Sequence, residues 1–282
     1  MTLKQAIEKT RGEKKAIGHF NISDIAAFRS IIRAAGELKV PVIIGTSEGE
    51  AEFVDIQVAV AMVRDMREET GQDIFLNADH FHSLEKIEEA VQAGYDSVIF
   101  DAAKLPMEEN IQKTKEIVKK IKEIRQDVLI EGEIGYIGES SKILEELPQG
   151  VRICTVDEVK RYVDETGIDL VAPAVGNVHG MLRKGGNPKL DINLVANITK
   201  NIETPLVLHG GSGISDDDFK AAIEAGIAIV HINTEIRLAW KKGVKKGAED
   251  EEQIAPYKIF SKAEEAVYEV VSRRLKLFNG LL

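Results

Sequence analysis

Apolar runs of the kind that form buried β-strands alternate with amphipathic helical patterns along most of this chain. The eight apolar runs begin at Ala16, Pro41, Ile74, Ser97, Val128, Leu170, Pro205 and Ile227. Segments with a helical spacing of apolar residues separate these runs and follow the last one. They cover residues 24–38, 52–69, 84–93, 108–125, 156–166, 192–200, 216–225 and 235–246. This repeated order of strand and helix is typical of an α/β protein with a parallel sheet.

Eight strand and helix units without a composition shift or a flexible linker between them fit one closed barrel. We therefore predict a single (β/α)8 TIM-barrel domain over residues 1–282, with one or more extra helices from about residue 255 onward. A doubly wound open sheet is the alternative. Ser23, Ser83 and Ser215 directly precede helical patterns and are candidate N-caps.

Charge and composition narrow the class of partner. The chain has 37 basic and 47 acidic residues, a formal charge of -10, and no long basic run, which argues against nucleic acid or an anionic membrane as partner. The single cysteine, Cys154, excludes an internal disulfide framework and is best explained as a small buried residue. No apolar run approaches about 18 residues, and the first residues lack a signal-peptide pattern. We expect a cytoplasmic protein.

Polar residues follow the predicted strands at their carboxyl ends, which in a barrel open onto one face. They are Asn21, Ser47, Asp79, His80, Asp101, Glu131, Glu133, His179, His209, Asn233 and Thr234. Core packing explains poorly why an apolar strand should end in a charged side chain. These positions therefore indicate a functional site.

Three of the six histidines, namely His80, His179 and His209, end the third, sixth and seventh predicted strands. Three neutral imidazoles with an open fourth position form a catalytic zinc site, and they also suit other divalent metals. The carboxylates of Asp101 and Glu133, together with that of Glu131, would then orient these ligands or bind the metal themselves. Three unrelated histidines in loops or in the core are the alternative.

Asp79 stands directly before His80, so its carboxylate is a candidate acid/base group beside the metal. A structural or helix-capping role is the alternative for Asp79. His19, His82 and His231 have no partner at a fixed spacing, and we expect ordinary structural roles for them.

Glycines follow two of the predicted strands and point to an anion site. The stretch PLVLHGGSGIS at residues 205–215 places Gly210, Gly211, Ser212 and Gly213 directly after a strand, and Gly180 follows another. Glycines let backbone N–H groups approach a phosphate closely, and TIM barrels often bind phosphate in the loops after their last two strands. A plain glycine turn is the alternative.

Taken together, the ordered motifs resemble the class II, metal-dependent ketose-bisphosphate aldolases, the family of fructose-bisphosphate and tagatose-bisphosphate aldolases. The resemblance runs nearly end to end through GHFN, PVIIGTSEGE, NADH, FDAAKLPMEENI, IEGEIG, TGIDLVAPAVGNVHG, PLVLHGGSGIS and HINTE. It implies that His80, His179 and His209 bind zinc, that Asp79 is the acid/base group, and that Asp101 and Glu133 lie close to the metal. It also implies a cradle for dihydroxyacetone phosphate. The cradle residues are Gly180, Gly210, Gly211, Ser212, Asn233 and Thr234, and we expect Ser47 to bind substrate as well.

The reaction implied by the resemblance is a reversible retro-aldol cleavage of a ketose bisphosphate. Zinc would polarise the C2 carbonyl, and Asp79 would remove the C4 hydroxyl proton as the bond between C3 and C4 breaks. The family also implies one zinc ion per chain, a monovalent cation as a further candidate ligand, and a homodimer or homotetramer.

The sequence departs from the family pattern at three places. Because of them, the half of the site that would bind the aldehyde product does not follow the family. The loop YIGESSKILEELPQG has Ser141 where the family has a proton-transfer glutamate, which leaves Glu139, Glu145 and Glu146 as substitutes. His231 replaces an asparagine, and Tyr257 replaces an arginine that binds the distal phosphate. Two alternatives therefore stay open: a ketose 1-phosphate substrate with a different aldehyde half, and a protein that binds metal and phosphosugar without turnover.

Overall fold

A computed structural model describes residues 1–138 and 141–282. The helices of these residues are α1 Leu3–Gly12, α2 Ile25–Leu38, α3 Glu48–Val54, α4 Ile56–Thr70, α5 Leu84–Ala93, α6 Met107–Ile124, α7 Val156–Thr166, α8 Ile192–Asn201, α9 Asp216–Ala225, α10 Thr234–Gly247 and α11 Pro256–Phe278. The strands are β1 Ile17–Asn21, β2 Val42–Ser47, β3 Ile74–Phe81, β4 Ser97–Phe100, β5 Leu129–Ile134, β6 Ile143–Leu144, β7 Leu170–Pro173, β8 Met181–Leu182, β9 Leu206–Leu208 and β10 Ile227–Ile232.

All the longer strands lie parallel in one closed barrel, in the order β1, β2, β3, β4, β5, β7, β9, β10 and back to β1. Closure is visible at Gly18, which is in register with Val42 of β2 on one side and with Val230 of β10 on the other. The TIM-barrel prediction is confirmed, and each predicted strand begins within one residue of an observed barrel strand. Because the strands are parallel, their carboxyl ends open onto one face.

Helix α1 closes the end of the barrel formed by the amino termini of the strands. This helix was not predicted from the sequence. Its buried Leu3, Ala6 and Ile7 join a separate apolar cluster with residues from the amino-terminal half of the strands, among them Ile17 and Ile43. Thr2 caps the helix through a capping box. Apolar side chains therefore fill the barrel at the amino-terminal ends of the strands. The polar residues lie at the opposite, carboxyl-terminal opening.

One predicted helix is divided in two and one predicted N-cap is wrong, while other helix ends lie within one residue of their predicted positions. The segment predicted as one helix over residues 52–69 is two helices, α3 and α4, because Asp55 interrupts them with a positive φ of 76° and caps α4 with its own carboxylate. Asp24 rather than Ser23 caps α2, since its side chain accepts a hydrogen bond from the N–H of Ala27 at 2.8 Å. Ser83 and Ser215 are N-caps as predicted.

A small parallel sheet of β6 and β8 lies outside the barrel and was not predicted. Its strands belong to the loops that follow β5 and β7. Strands of two residues carry too little periodicity to be read from a sequence. The pairing fixes these two loops against each other beside Ser141 and Gly180, which both line the mouth of the barrel.

The C-terminal extension is one long helix, α11, which packs against α2 and α10. Its buried Ala263, Val267, Val271 and Leu275 recur every four residues, which gives one apolar face. Gly243 of α10 allows the close approach, because a Cβ there would lie 2.4 Å from the Cα of Ala263. That residues 1–282 form one domain stays a prediction. Of the described helices, none is long and apolar enough to cross a membrane.

Candidate active site

A cavity of about 450 Å³ opens at the carboxyl ends of the strands. It is lined by most of the residues predicted for the site. These are Ser47, Asp79, His80, Asp101, His179, Gly180, Gly210, Gly211, Ser212, Asn233 and Thr234. His209 and Glu133 are buried and do not belong to the described lining, although both contact the same cluster of side chains.

His80, His179 and His209 come together as predicted, with one ring nitrogen of each within 4.8 Å of the others. The second ring nitrogen of each is engaged. Asp101 Oδ2 lies 3.2 Å from His80 Nδ1, the carbonyl of Gly138 lies 2.7 Å from His179 Nδ1, and Glu131 Oε1 lies 2.6 Å from His209 Nε2. This leaves His80 Nε2, His179 Nε2 and His209 Nδ1 available, and the first and last of these face each other at 3.1 Å.

A backbone irregularity turns His80 toward the other two rings. His80 has a φ of 55°, the left-handed region that non-glycine residues seldom adopt, and the register of β3 against β4 shifts between Ala78 and Phe81. Such strained conformations are found mainly where a function requires them. The sequence carries no signal for this bend.

The two acidic residues predicted to lie near a metal occupy different places. Asp101 contacts the ring nitrogen of His80 that points away from the histidine cluster. Glu133 lies closer to the histidine cluster, since its Oε2 is 3.4 Å from His209 Nδ1. This oxygen has no hydrogen-bond partner among the described residues. Glu131 is buried behind His209. The carboxylates therefore surround the imidazoles on several sides.

Charges in the cluster are strongly coupled. Burial lowers the pKa of His80, but the charge of Asp79 and the hydrogen bond to Asp101 outweigh it and raise this pKa to about 9. Burial likewise opposes ionisation of Asp79, but His80, His231 and His19 together outweigh it and hold the pKa of Asp79 well below its usual range. Burial raises the pKa of Glu131 despite the nearby His209. The carboxylate of Asp79 is thus ionised at neutral pH.

Only one oxygen of Asp79 is held in place by a hydrogen bond. Its Oδ2 accepts a bond of 2.8 Å from Asn21 Nδ2, which also donates to Glu50 Oε2 at 2.9 Å. Glu50 in turn pairs with Arg237 at 2.6 Å. The other oxygen, Oδ1, is buried and has no hydrogen-bond partner within the described part of the chain. His231 Nδ1 and His80 Nε2 lie 3.6 and 3.7 Å from it.

His19 and His231 stack face to face inside the barrel, with ring centroids 3.6 Å apart and planes 4° from parallel. His231 also stacks on His209 at 4.3 Å. Burial lowers the pKa of His19 to about 4, and burial followed by the charge of His19 holds the pKa of His231 well below its usual range. Asp79 lies close enough to complete a candidate metal group with them, but ligand lone pairs lie in the ring plane, and two parallel rings cannot both aim at one ion. The ordinary structural role expected fits His19, whereas His231 and the exposed His82 line the cavity.

The glycine loop after β9 adopts a shape that larger residues would obstruct. Gly210 has a φ of 60°, and a Cβ there would lie 2.2 Å from the carbonyl oxygen of Val178. A Cβ on Gly211 would lie 2.6 Å from the carbonyl oxygen of His231. The loop therefore packs backbone against backbone, and only glycine fits at these two positions.

The N-terminus of α10 faces the same cavity. Asn233 is its N-cap residue, but the side chain of Asn233 makes no capping hydrogen bond, and its buried Oδ1 has no hydrogen-bond partner among the described residues. Ser212 Oγ accepts a hydrogen bond of 3.1 Å from the N–H of Glu235 in the first turn. The N-terminus of a helix beside a glycine loop attracts anions, because its first N–H groups and its dipole favour negative charge.

The substitutes considered for the missing glutamate do not reach the cavity where they are described. Glu145 pairs with Arg183 at 2.6 Å on the surface, Glu146 is exposed, and neither belongs to the described lining. Glu139 lies outside the described residues. Ser141, which stands at the family position, does line the cavity. Tyr257 is 74% exposed on α11 and is not part of the described lining.

Arg237 and Glu50 were not predicted as site residues, and Asn21 was expected at a strand end without an assigned role. Arg237 is the only lysine or arginine among the described residues that line the cavity. It lies in the first turn of α10, one helical turn after the predicted Asn233 and Thr234. The first turn of a helix that follows a barrel strand is the signal that could have found it.

Comparison with known proteins agrees with this geometry. A model of the family described as "Fructose-bisphosphate aldolase class-II" matches residues 1–280. A fructose-bisphosphate aldolase of Staphylococcus aureus is 33% identical over 99% of this chain and 97% of its own length. A 6-phospho-5-dehydro-2-deoxy-D-gluconate aldolase of Shouchella clausii is 35% identical over 94% of this chain and 89% of its own.

Among solved structures, the YdjI aldolase from Escherichia coli K12 superposes with a TM-score of 0.83 at 29% identity. The match covers 99% of this chain and 97% of that one. The chain therefore belongs to the class II fructose-bisphosphate aldolase family and is a lyase that cleaves ketose phosphates.

Proposed function

We propose that this protein is a zinc-dependent aldolase that cleaves a ketose bisphosphate reversibly. Fructose 1,6-bisphosphate and tagatose 1,6-bisphosphate are the leading substrates, and the products are dihydroxyacetone phosphate and an aldehyde such as glyceraldehyde 3-phosphate. The observation that carries the proposal is the convergence of three imidazoles beside a carboxylate with one free oxygen. His80, His179, His209 and Asp79 provide it.

The side chains fit a divalent metal. His80 Nε2, His179 Nε2 and His209 Nδ1 would hold it, because a carboxylate or a carbonyl already occupies the other nitrogen of each ring. Three neutral imidazoles suit zinc best and accept other divalent metals as well. A metal bound there supplies Lewis-acid polarisation of the ketose carbonyl. Glu133 and Asp101 complete the acidic surroundings.

Asp79 is proposed as the base for the retro-aldol step. Asn21 holds Oδ2, so Oδ1 is free to accept the proton of the substrate C4 hydroxyl. As the proton moves to Oδ1, the C4 oxygen forms a carbonyl, the bond between C3 and C4 breaks, and its electron pair passes into the C2–C3 fragment. Protonation of C3 then completes dihydroxyacetone phosphate.

The phosphate of the dihydroxyacetone half is proposed to bind between the glycine loop and the first turn of α10. Gly180, Gly210, Gly211 and Ser212 line one side, and Asn233 with Thr234 lines the other. Backbone N–H groups and the helix N-terminus provide local positive potential in a protein whose formal charge is -10. Ser47, which caps α3 and lines the cavity, is proposed as a further substrate contact.

The second candidate has the same chemistry on a ketose 1-phosphate with another aldehyde half. Arg237, the one lysine or arginine of the described lining, is already paired with Glu50, and Tyr257 is exposed elsewhere. A single arginine whose charge is already paired with Glu50 provides weak positive potential for binding a second phosphate dianion. The relatives also differ in the substrates that their names give, a fructose bisphosphate in one and a 6-phosphorylated dehydro-deoxygluconate in the other.

A comparison of kcat/KM decides between the two. The zinc-loaded protein is assayed for release of dihydroxyacetone phosphate from fructose and tagatose 1,6-bisphosphates and from a series of ketose 1-phosphates. We expect turnover of a bisphosphate that stops after complete removal of the metal and returns when zinc is added. A clear preference for ketose 1-phosphates supports the second candidate, and robust turnover without any metal would overturn both.

Assembly, location and a second cation belong to the same proposal. We expect a homodimer or homotetramer, which light scattering at micromolar concentration would detect, and a cytoplasmic location.

A monovalent cation near the phosphate is expected to increase activity. Activity should then be higher in potassium or sodium salts than in a tetraalkylammonium salt. Equal activity in all three salts would remove the cation from the proposal.

A further inference from the structure

The peptide group that joins Ser212 to Gly213 is held at both of its polar atoms by side chains outside the glycine loop. The carbonyl oxygen of Ser212 accepts a hydrogen bond of 2.9 Å from Asn187 Nδ2. The N–H of Gly213 donates a bond of 2.9 Å to Glu235 Oε1. A peptide plane bonded on opposite edges cannot rotate without breaking one of the two bonds.

Asn187 uses its whole amide in this contact. Its Nδ2 also donates to the carbonyl oxygen of Gly180 at 2.9 Å, and its Oδ1 accepts from the N–H of Leu182 at 2.9 Å. A primary amide has two N–H donors, so both are spent on the carbonyls of two different loops. Gly213 packs directly on this amide, since a Cβ there would lie 3.2 Å from Asn187 Cγ. Asn187 thus joins the loop after β7 to the loop after β9.

Glu235 is fixed from the other direction by the C-terminal helix. Arg274 of α11, which is only 8% exposed, donates to both carboxylate oxygens of Glu235, at 2.9 and 2.6 Å. Such a bidentate pair has a defined orientation. The N–H of Glu235 also donates to Ser212 Oγ. Ser212 is therefore held through its hydroxyl oxygen, its carbonyl and the following N–H.

We propose that Asn187 and Glu235 are positioning residues that clamp the Ser212–Gly213 peptide and thereby preorganise the phosphate cradle. This inference depends on the proposed binding of dihydroxyacetone phosphate at Ser212 and the neighbouring glycines. Neither residue belongs to the described cavity lining, so each acts through the loop that it holds. Loss of the clamp weakens binding of the phosphate half and leaves the histidine cluster intact.

The test uses Asn187→Asp, which keeps the side-chain shape and the acceptor for Leu182 but removes both donors. Asn193→Asp is the matched control, because Asn193 is exposed on α8 and the charge change is the same. Calorimetry on the zinc-loaded full-length proteins measures Kd for dihydroxyacetone phosphate, and steady-state assays measure KM and kcat. We expect Kd and KM to rise about tenfold or more for Asn187→Asp, with kcat and zinc content within about threefold of wild type.

Asn187→Ala removes the donors without adding charge and should change Kd in the same direction. It also replaces Asn187→Asp if that variant does not fold. If wild type fails to bind dihydroxyacetone phosphate, the proposed function is wrong. If wild type binds it and both Asn187 variants bind within about twofold of wild type, the clamp is wrong while the proposed function stands. An equal loss in Asn193→Asp would also contradict the clamp.

Discussion

Asp79 combines a fixed orientation with a free acceptor atom. Asn21 holds Oδ2 at 2.8 Å, and Oδ1 is buried without a hydrogen-bond partner among the described residues. Leaving a buried carboxylate oxygen unpaired costs stability, so such atoms are usually satisfied in folded proteins. An unpaired oxygen that borders the cavity is the arrangement expected of a base that awaits a substrate hydroxyl.

Replacing Asp79 with asparagine should therefore remove chemistry and preserve structure. We expect Asp79→Asn to lower kcat for cleavage by about 100- to 10,000-fold, the range typical of a lost acid/base group, with zinc content unchanged. The exposed Asp217→Asn on α9 is the control for the same chemical change. A kcat within about threefold of wild type for Asp79→Asn would exclude Asp79 as the base.

His19 makes a separate prediction about stability in acid. Burial lowers its pKa in the folded protein to about 4, against about 6.5 in the unfolded chain. Protons therefore bind preferentially to the unfolded state between these values, so the contribution of His19 is fully present above pH 6.5 and is lost as the pH falls toward 4. Its size is at most about 3 kcal/mol.

Urea unfolding of the chelator-treated protein between pH 4.5 and 7 measures this slope. We expect the free energy of unfolding to depend less steeply on pH in His19→Gln than in wild type, while the exposed His82→Gln keeps the wild-type slope. Chelation matters because metal release would add its own pH dependence. Identical slopes in all three proteins would show that His19 does not titrate as inferred.

At the residue scale, the sequence correctly placed side chains at the cavity where one polar side chain ends an apolar strand, while their roles stay predictions. Asp79, His80, His179 and the glycines after His209 all lie at the cavity or in its wall. It missed Arg237, because a charged residue in a helical pattern is usually solvated surface. The stacking of His19 on His231 also escaped it, since the contact joins β1 to β10 and depends on barrel closure.

At the scale of the element, strand β2 has a shape that only a neighbouring side chain explains. A Cβ on Gly45 would lie 2.2 Å from Cε1 of His19 and 2.5 Å from its Nε2. Gly45 therefore leaves space for the His19 ring, which stacks on His231 above the barrel core. Because Gly45 of β2 has no side chain, the imidazole of His19 on β1 fits inside the barrel.

A double-mutant cycle tests this pairing. Gly45→Ala should lower the free energy of unfolding by about 1–3 kcal/mol, the usual cost of overpacking, and should cost clearly less in a His19→Ala background. Gly12→Ala is the control, because nothing lies within 4 Å of a Cβ at that position. Urea unfolding gives all the values. Equal costs of Gly45→Ala in both backgrounds would contradict the steric account.

Elements with a strong periodic pattern were predicted well, and those defined by tertiary contacts were not. Helices α5, α7 and α9 begin at the predicted residues, and the barrel strands begin at or within one residue of them. Helix α1 was missed because it has few apolar residues, and these are buried only by contact with the end of the barrel. The break at Asp55 was missed because an aspartate with positive φ has no periodic signature. The two-residue strands β6 and β8 depend entirely on pairing with each other.

At the scale of the whole molecule, the proposed metal site is assembled from distant parts of the barrel. His80 comes from β3, Glu133 from β5, and His179 and His209 from the loops after β7 and β9. In the unfolded chain these residues are far apart in sequence and form no site. A metal that binds there must therefore favour the closed barrel over the unfolded chain.

Zinc should consequently raise the melting temperature as well as support activity. A ligand at about 100 times its Kd that binds only the folded state adds about 2.7 kcal/mol, which for a chain of this size corresponds to a Tm increase of roughly 5 °C. We expect scanning calorimetry to show this shift on adding zinc to chelator-treated protein and its absence in His179→Ala. His82→Ala, which removes an exposed histidine that lines the cavity but lies outside the cluster, should keep it. An equal zinc-dependent shift in His179→Ala would mean that zinc binds the folded chain elsewhere, and the histidine cluster would no longer explain metal dependence.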